Sequence, residues 1–574
     1  MLKLLKGLKR YSIFVLGVLI LVFISTMTDL WLPDLMSEIV DTGIVKGDIP
    51  FILGRGGIML LVTLLGTICT IGSSFLSAKV GIGFSRDLRK KVFEKVESFS
   101  LTEVNEIGTA SLITRTTNDI NQIQMVTIMM MRMMLSSPLI IIGALIMALR
   151  KDVELSRIIL IVIPIIVVTI VVIAKFTMPL FKIMQKKIDK LNLVIRENLT
   201  GIRVIRVFNK VKTEEMRFNK ASLDVSRIAT RANRLIGSLM PLMMLILNLS
   251  IIAVLWFGGI RVNEGDIMVG DLMAFIQYLT QVMFSLLMLT MMFVLIPRAQ
   301  ASAVRINEVL EMQSPIKEPV KAAQPQLRGH VEFKNVSFGY EGAEEYAISN
   351  ISFKAQPGEV TAIIGGTGSG KSTILNMITR FYDAAEGEVL VDGINVKELN
   401  QQELRLKIGY VPQKAILFTG TIKDNIRYGK EDATDEEIRH ALDIAQATDF
   451  VSRMKKGIES EISQGGKNVS GGQKQRLSIA RAIVRRPEIY LFDDSFSALD
   501  FKTDAKLRAA LASETKDATV IIVAQRVSTV MDATRILVMD EGRVVGCGTH
   551  DELLKTNEIY QQIVASQLKK GEEE

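Results

Sequence analysis

Cysteine is almost missing from this chain. Cys69 and Cys547 are the only two, far apart and in unlike contexts, so neither a disulfide framework nor a cysteine-based metal site can be built. The soluble part is therefore expected in reducing cytosol. No small-residue cleavage site follows the first apolar run, so the basic MLKLLKGLKR reads as an interfacial helix leading into a first span rather than as a cleaved signal peptide. Internal repeats are lacking, and so are low-complexity tracts apart from the charged tail Lys569 to Glu574. Neither sign of charge dominates: 69 Lys+Arg against 61 Asp+Glu leave +8. In an apolar chain so modest an excess marks loops at an anionic membrane, and no nucleic-acid partner is expected. Hydrophobic residues reach 48% and charged ones 23%, with mean hydropathy +0.30, which excludes disorder and fibres and requires a greasy part and a soluble part to share the chain. At 574 residues at least two cores are expected.

A bilayer core takes about 20 apolar helical residues. Six stretches approach that: Ile13 to Leu32, Gly56 to Ala78, Val126 to Leu149, Ile158 to Leu180, Leu235 to Gly258 and Leu272 to Ile296. Between Lys182 and Arg234 there are fourteen Lys/Arg against five Asp/Glu, whereas Asp34 to Arg55 holds Asp34, Glu38, Asp41 and Asp48 against Lys46 and Arg55. The basic connector is expected inside, which with six spans puts both termini in the cytoplasm. The long inner connectors Lys79 to Gln124 and Phe181 to Asn233 are expected to continue the helices into the cytoplasm and touch whatever follows Ile296.

After that span Arg298 to Met312 reads as a helix leaving the membrane, and Ser314 to Arg328 as a Pro, Gln and Lys linker. The expected domains are thus 1–312 in the membrane, a linker at 313–328 and a soluble domain at 329–574. In the last, strand-like runs (Val331 to Phe338, Glu359 to Ile364, Ile489 to Phe492, Val520 to Val523, Arg535 to Met539) alternate with helical segments, an α/β pattern with a largely parallel sheet.

Gly365-Gly366-Thr367-Gly368-Ser369-Gly370-Lys371-Ser372-Thr373 fits G-x-x-x-x-G-K-[ST] between an apolar strand and a helical run. Glycines let successive backbone N–H groups point at phosphate oxygens, Lys371 neutralises the β- and γ-phosphates of ATP, and the Ser372 hydroxyl ligates Mg2+. The buried strand Ile489 to Phe492 ends in Asp493, a second ligand for that metal. Between them Ser470-Gly471-Gly472-Gln473 opens another helix, a second anion nest. One nucleotide site does not need two nests, so the second is expected to serve the γ-phosphate held by another subunit, in a head-to-tail dimer with ATP sandwiched between subunits.

With these motifs the sequence resembles the ATP-binding cassette (ABC) transporters over nearly its whole length, and within them the exporter branch, where a six-helix membrane half is fused to a nucleotide domain. Segments TRTTNDINQIQ, ENLTGIRVIRVFNK and ASAVRINEVL carry that likeness in the membrane half. The resemblance implies that Tyr340 in VSFGY stacks on adenine, that Gln413 in YVPQ links metal and membrane contacts, that VSGGQ is the signature, and that Ser497-Ala-Leu-Asp500 faces the other subunit. It also implies coupling helices near Ser100 to Gly108 and Ile202 to Lys210.

Two departures fall on the chemistry. Active members have glutamate after the metal aspartate, where this chain has Asp494, and a histidine near the γ-phosphate, where it has Gln525. A carboxylate one methylene shorter, by roughly 1.5 Å, is poorly placed to orient the attacking water, an error that costs on the order of 100-fold in rate. Gln525 still donates a hydrogen bond but cannot become cationic. The expectation is an ATP-hydrolysing transporter whose own site binds ATP and hydrolyses it slowly, while its intact signature completes the site of a homologous half-transporter. Ile462-Ser-Gln464-Gly-Gly466 is also similar to degenerate subunits of bacterial heterodimeric multidrug exporters. The alternatives are a homodimeric lipid or peptide exporter with Asp494 as a slow base, and an ATP-gated, non-transporting regulator; the short linker and tail disfavour the regulator.

Fusion of the two domains argues for export across the cell membrane, and no N-terminal peptidase domain is seen, which argues against a leader-peptide exporter. Small amphipathic drugs are the expected cargo. Of 28 methionines, Met240, Met243 and Met244 lie in the fifth span and Met283, Met288, Met291 and Met292 in the sixth. Flexible thioethers suit a promiscuous cavity, although methionine serves equally as packing filler. Charges at membrane depth tell more. Arg132 can snorkel to the inner interface and Asp29 can sit in the outer headgroup zone, while Asn248, Gln277 and Gln281 line a cavity or bond between helices.

Overall fold

A computed structural model describes residues 1–319, 323 and 327–571. Parts of the predicted linker (320–322 and 324–326) and of the charged tail (572–574) lie outside the described residues. The chain divides into two compact units: Met1–Glu97 with Thr109–Met312, and Ser98–Gly108 with Gln313–Glu574.

In the first unit a short helical lead, Leu2–Leu5 and the tighter turn Lys6–Tyr11, runs into the helix Ser12–Glu38. Long helices follow at Ile49–Glu97, Ile120–Lys151, Val153–Thr200, Leu239–Glu264 and Val269–Glu311. Among the described residues six helical stretches are long and apolar enough to cross a membrane. Ile49–Glu97 has 49 residues, and at about 1.5 Å per residue it is more than twice as long as a hydrocarbon core of about 30 Å. The long connectors thus continue the helices beyond the membrane.

Close helix crossings need small residues. A Cβ on Gly143 would stand 2.2 Å from Leu30 Cδ1, and one on Gly258 2.1 Å from Leu272 Cδ2. Leu155, Ile159, Phe275, Tyr278 and Leu279 form the buried centre. At one end Lys151 Nζ binds Asp34 Oδ1 and Asp271 Oδ1, each at 2.8 Å, and donates to Ser37 Oγ at 3.0 Å, pinning three helices together. Toward the other, Asp119 accepts from Arg305 and from Ser302 at 2.9 Å.

Ser98–Gly108, where the resemblance implies a cytoplasmic coupling helix of the 1–312 domain, falls in the second compact unit. Ser100 and Glu103 form a reciprocal cap on the helix Leu101–Ile107, Leu101 packs on the apolar core of the second unit, and Asn105 Nδ2 donates to Tyr382 Oη at 3.4 Å.

The rest of that unit holds two main sheets. One is antiparallel, in the order Ile348–Ala355, Val331–Phe338, Glu386–Val391, Ile394–Asn395. The other runs Arg543–Gly548, Arg535–Asp540, Val360–Gly365, Thr519–Val523, Ile489–Asp493, Ile408–Val411, parallel except for its first strand. Every residue of Ile489–Asp493 and of Thr519–Val523 is buried, as expected of central parallel strands covered on both faces. The five strands expected from the sequence lie within two residues of that expectation, while Ile348–Ala355, Glu386–Val391, Ile394–Asn395, Ile408–Val411 and Arg543–Gly548 had no counterpart in it.

Candidate nucleotide site

The parallel sheet brings the chemistry to one edge. Val523 pairs with Ile363 on one side and with Asp493 on the other, so the loop after Gly365, the acids Asp493 and Asp494, and Gln525 emerge side by side although they span 160 residues of sequence. Such C-terminal strand ends are the usual ligand edge of open α/β sheets.

The glycine loop fits tightly into its surroundings. A Cβ on Gly365 would stand 2.1 Å from Met539 O, and Gly370 has φ +90° with Ala347 O 2.6 Å from where a Cβ would be. Gly366 and Gly368 border open space. Lys371 turns into the loop, its Nζ donating to Gly365 O at 2.9 Å, Gly366 O at 2.5 Å and Ser369 Oγ at 3.3 Å. Burial pulls its pKa below the usual lysine range, against the pull of Asp494 and Asp493. Ser372 Oγ donates to Asp493 Oδ1 at 2.8 Å. Burial, reinforced by Asp494, holds the Asp493 carboxyl above the usual range despite that bond. A hydroxyl and a carboxylate converging in this way are the hard oxygen donors Mg2+ takes. Thr373 Oγ1 lies 3.0 Å from Tyr340 Oη, and the half-exposed Tyr340 ring stands edge-on to Phe338 and Tyr382.

Asp494 has a left-handed backbone, φ +45°. Its Oδ2 accepts from Gln525 Nε2 at 3.0 Å and from Gln413 Nε2 at 3.4 Å. Burial raises its pKa against those bonds. Ser497 Oγ donates to Asp494 O at 2.9 Å and Arg526 Nη2 to Ser497 O at 3.0 Å, tying the loop that ends at Asp500 to this edge. Asp500 caps the helix Phe501–Glu514 through Thr503 N at 2.9 Å, a bond that lowers its pKa.

Ser470 caps a different helix, Gly471–Ile483, in a reciprocal pair with Gln473: Gln473 N donates to Ser470 Oγ at 3.3 Å and Ser470 N to Gln473 Oε1 at 2.9 Å. Gly471 has nothing within 4 Å of a Cβ position, whereas Gly472 would meet Ala498 O at 3.1 Å. Among the described residues no hydrogen bond or ion pair joins the Ser470 turn to the Lys371 loop. The fold therefore brings Lys371, Ser372, Gln413, Asp493, Asp494 and Gln525 together, with Tyr340 attached through Thr373, and leaves the signature as a separate nest.

Sequence reasoning missed Tyr410, whose phenol lies beside Asp493 and whose pKa is driven up by burial and by that carboxylate. Its place three residues before Gln413 was the available signal. Arg526, next to Gln525, was missed too.

Residues 15–286 match the ABC transporter transmembrane region and 348–497 the ABC transporter family. An uncharacterized ABC transporter ATP-binding protein of Mycobacterium tuberculosis is 41% identical over 565 residues, covering 98% of this chain and 97% of that one. A fatty acid ABC transporter ATP-binding/permease protein of Mycobacterium bovis is 34% identical over 476 residues, covering 83% of this chain and 75% of that one. Among solved structures a bacterial Atm1-family ABC exporter with ATP bound superposes at TM-score 0.80 with 27% identity, covering 97% of this chain and 98% of that one. The chain belongs to the ABC transporters. It is a multi-pass membrane protein of the exporter type, six membrane helices fused to an ATP-hydrolysing nucleotide-binding domain.

Proposed function

We propose that this chain is one half of a heterodimeric exporter of small amphipathic compounds, with its own ATP site hydrolytically slow and its signature lent to a competent site on a homologous partner. The observation that carries the reading is Asp494: a carboxylate one methylene short, in a left-handed backbone, with one oxygen engaged by Gln525 and Gln413. Its raised pKa would favour a base, but reach and a free lone pair aimed at water decide whether it can act as one. Gln525 holds the place where a cation would stabilise the γ-phosphate.

In this reading the loop Gly365 to Thr373 cradles the phosphates, Lys371 moves from the loop carbonyls to the β- and γ-oxygens, and Tyr340 supports adenine. Ser372, Asp493 and Gln413 would hold Mg2+, which screens phosphate charge. Ser470, Gly471, Gly472 and Gln473 would close on the partner's ATP, with Asp500 in the loop between subunits. The helix Ile202–Val207 supports a dimer: Val207 and Phe208 are 79% and 68% exposed in the single chain, an apolar tip suited to a second subunit. The basic connectors support an orientation with both termini in the cytoplasm, the spans then crossing the cell membrane. ATP binding the closed dimer better than the open one would draw the halves together and open the cavity outward, because only differential affinity shifts an equilibrium. The fatty acid relative favours a second reading of the cargo, a lipid.

Affinity capture of this chain from its native membrane, followed by the mass of the intact complex, tests the assembly. A second, similar chain at one to one is expected; this chain alone, as a pair, overturns the heterodimer.

A further inference from the structure

Three helices of the first unit, Ser12–Glu38, Ile120–Lys151 and Val269–Glu311, border an open cavity of about 430 Å³, within the usual size range of small-molecule sites. On the last of them Gln277, Gln281, Phe284 and Met288 recur at i, i+4, i+7 and i+11, so one helical stripe faces the cavity. Asp29 on the first helix also lines it, and no lysine, arginine or histidine does.

Asp29 differs from its acidic neighbours. Asp34 and Asp271 bind Lys151, and Asp41 Oδ1 accepts from Gly270 N at 2.6 Å. Among the described residues no hydrogen bond or ion pair reaches the Asp29 carboxylate; only its backbone oxygen is engaged, by Gln281 Nε2 at 3.0 Å. Asp29 is exposed toward the cavity side of the first span, and a carboxylate in a membrane-spanning helix is met by water or by a counter-charge, since acyl chains offer neither. Gln281, which also lines the cavity, is tied to the first helix by its bond to that backbone oxygen. The apolar wall completes the site: Phe284 and Met288 are 48% and 40% exposed, a ring face and a flexible thioether suited to aromatic or alkyl groups around a positive centre.

We infer that this cavity binds an amphipathic monocation, with Asp29 as its counter-ion and Phe284 and Met288 covering its apolar part. The inference rests on the proposed export of small amphipathic compounds and narrows the cargo by sign of charge. A fatty-acid carboxylate placed here would meet Asp29 as a like charge.

Tetraphenylphosphonium and tetraphenylborate, nearly the same size and shape but of opposite charge, make the test. Binding of each, and its effect on ATP hydrolysis, is measured on the full complex in nanodiscs for the wild type, Asp29→Asn and Asp29→Glu, with ATP binding as the control for folding. The expected result is a preference for the cation that falls about tenfold in Asp29→Asn and survives in Asp29→Glu. Equal binding of the two ions, or a preference unchanged in Asp29→Asn, overturns the inference and leaves export standing. Failure of both ions to bind or to alter ATP hydrolysis overturns the inference and the proposed cargo class together.

Discussion

The two phosphate-facing turns of the nucleotide-binding unit differ in what surrounds them. At the Lys371 loop the cradle and the Ser372–Asp493 pair are in place, yet the next carboxylate, Asp494, is held by two side-chain amides. At the Ser470 turn the reciprocal cap is intact and Gly471 opens onto free space. A domain whose signature works on another subunit's nucleotide can lose its own turnover and still be held to a working signature. The proposed asymmetry follows from that separation.

The largest effect should come from crowding the open turn. Gly471→Asp has room within the chain, so folding should persist, while its charge would oppose the partner's γ-phosphate. ATP hydrolysis by the complete complex should fall on the order of 100-fold. Asp494→Asn should change the same rate less than about twofold, because the group it removes is not the one carrying turnover. Equal losses from the two variants would break the comparison. A gain of function sharpens it: Asp494→Glu with Gln525→His should restore single-turnover hydrolysis at this chain's own site about tenfold or more, read with ATP trapped on this subunit.

Ser470→Ala should cost about 1 kcal/mol of stability through the lost cap, measured by thermal unfolding of the full chain, besides its effect on turnover. The smallest effect concerns pH. Burial holds Asp493 and Asp494 above the usual carboxylate range, so the folded state retains their protons longer than the unfolded chain. Their contribution to stability is full below the unfolded pKa and is lost as pH rises from there through the raised folded values. Asp494→Asn should flatten that decline in a thermal-shift series run across the acidic range.

Much of this was legible in the residues. Six apolar runs, the G-x-x-x-x-G-K-[ST] loop and buried strands ending in acids each carry a local physical requirement: a span must be apolar along its length, a phosphate cradle needs glycines, and a central parallel strand reads as a continuous apolar run. Asp494 and Gln525 stood out only through the resemblance, because active members of that family carry glutamate and histidine at these two places. Tyr410 did not, because a tyrosine in a strand is ordinary until a carboxylate is placed beside it.

The sequence by itself determined the number of spans, the central buried strands and the composition of the nucleotide site, since these depend on local pattern and side-chain chemistry. Only the tertiary structure decided which side chains share an edge. Strand order set Gln525 between the Lys371 loop and Asp494. Packing set Ser98–Gly108 in the nucleotide-binding unit. Helix packing left the Asp29 carboxylate lining a cavity, with no ion pair among the described residues, while Lys151 took Asp34 and Asp271. Partners of a buried charge come from helices far apart in the chain, and no local pattern records which of them will meet.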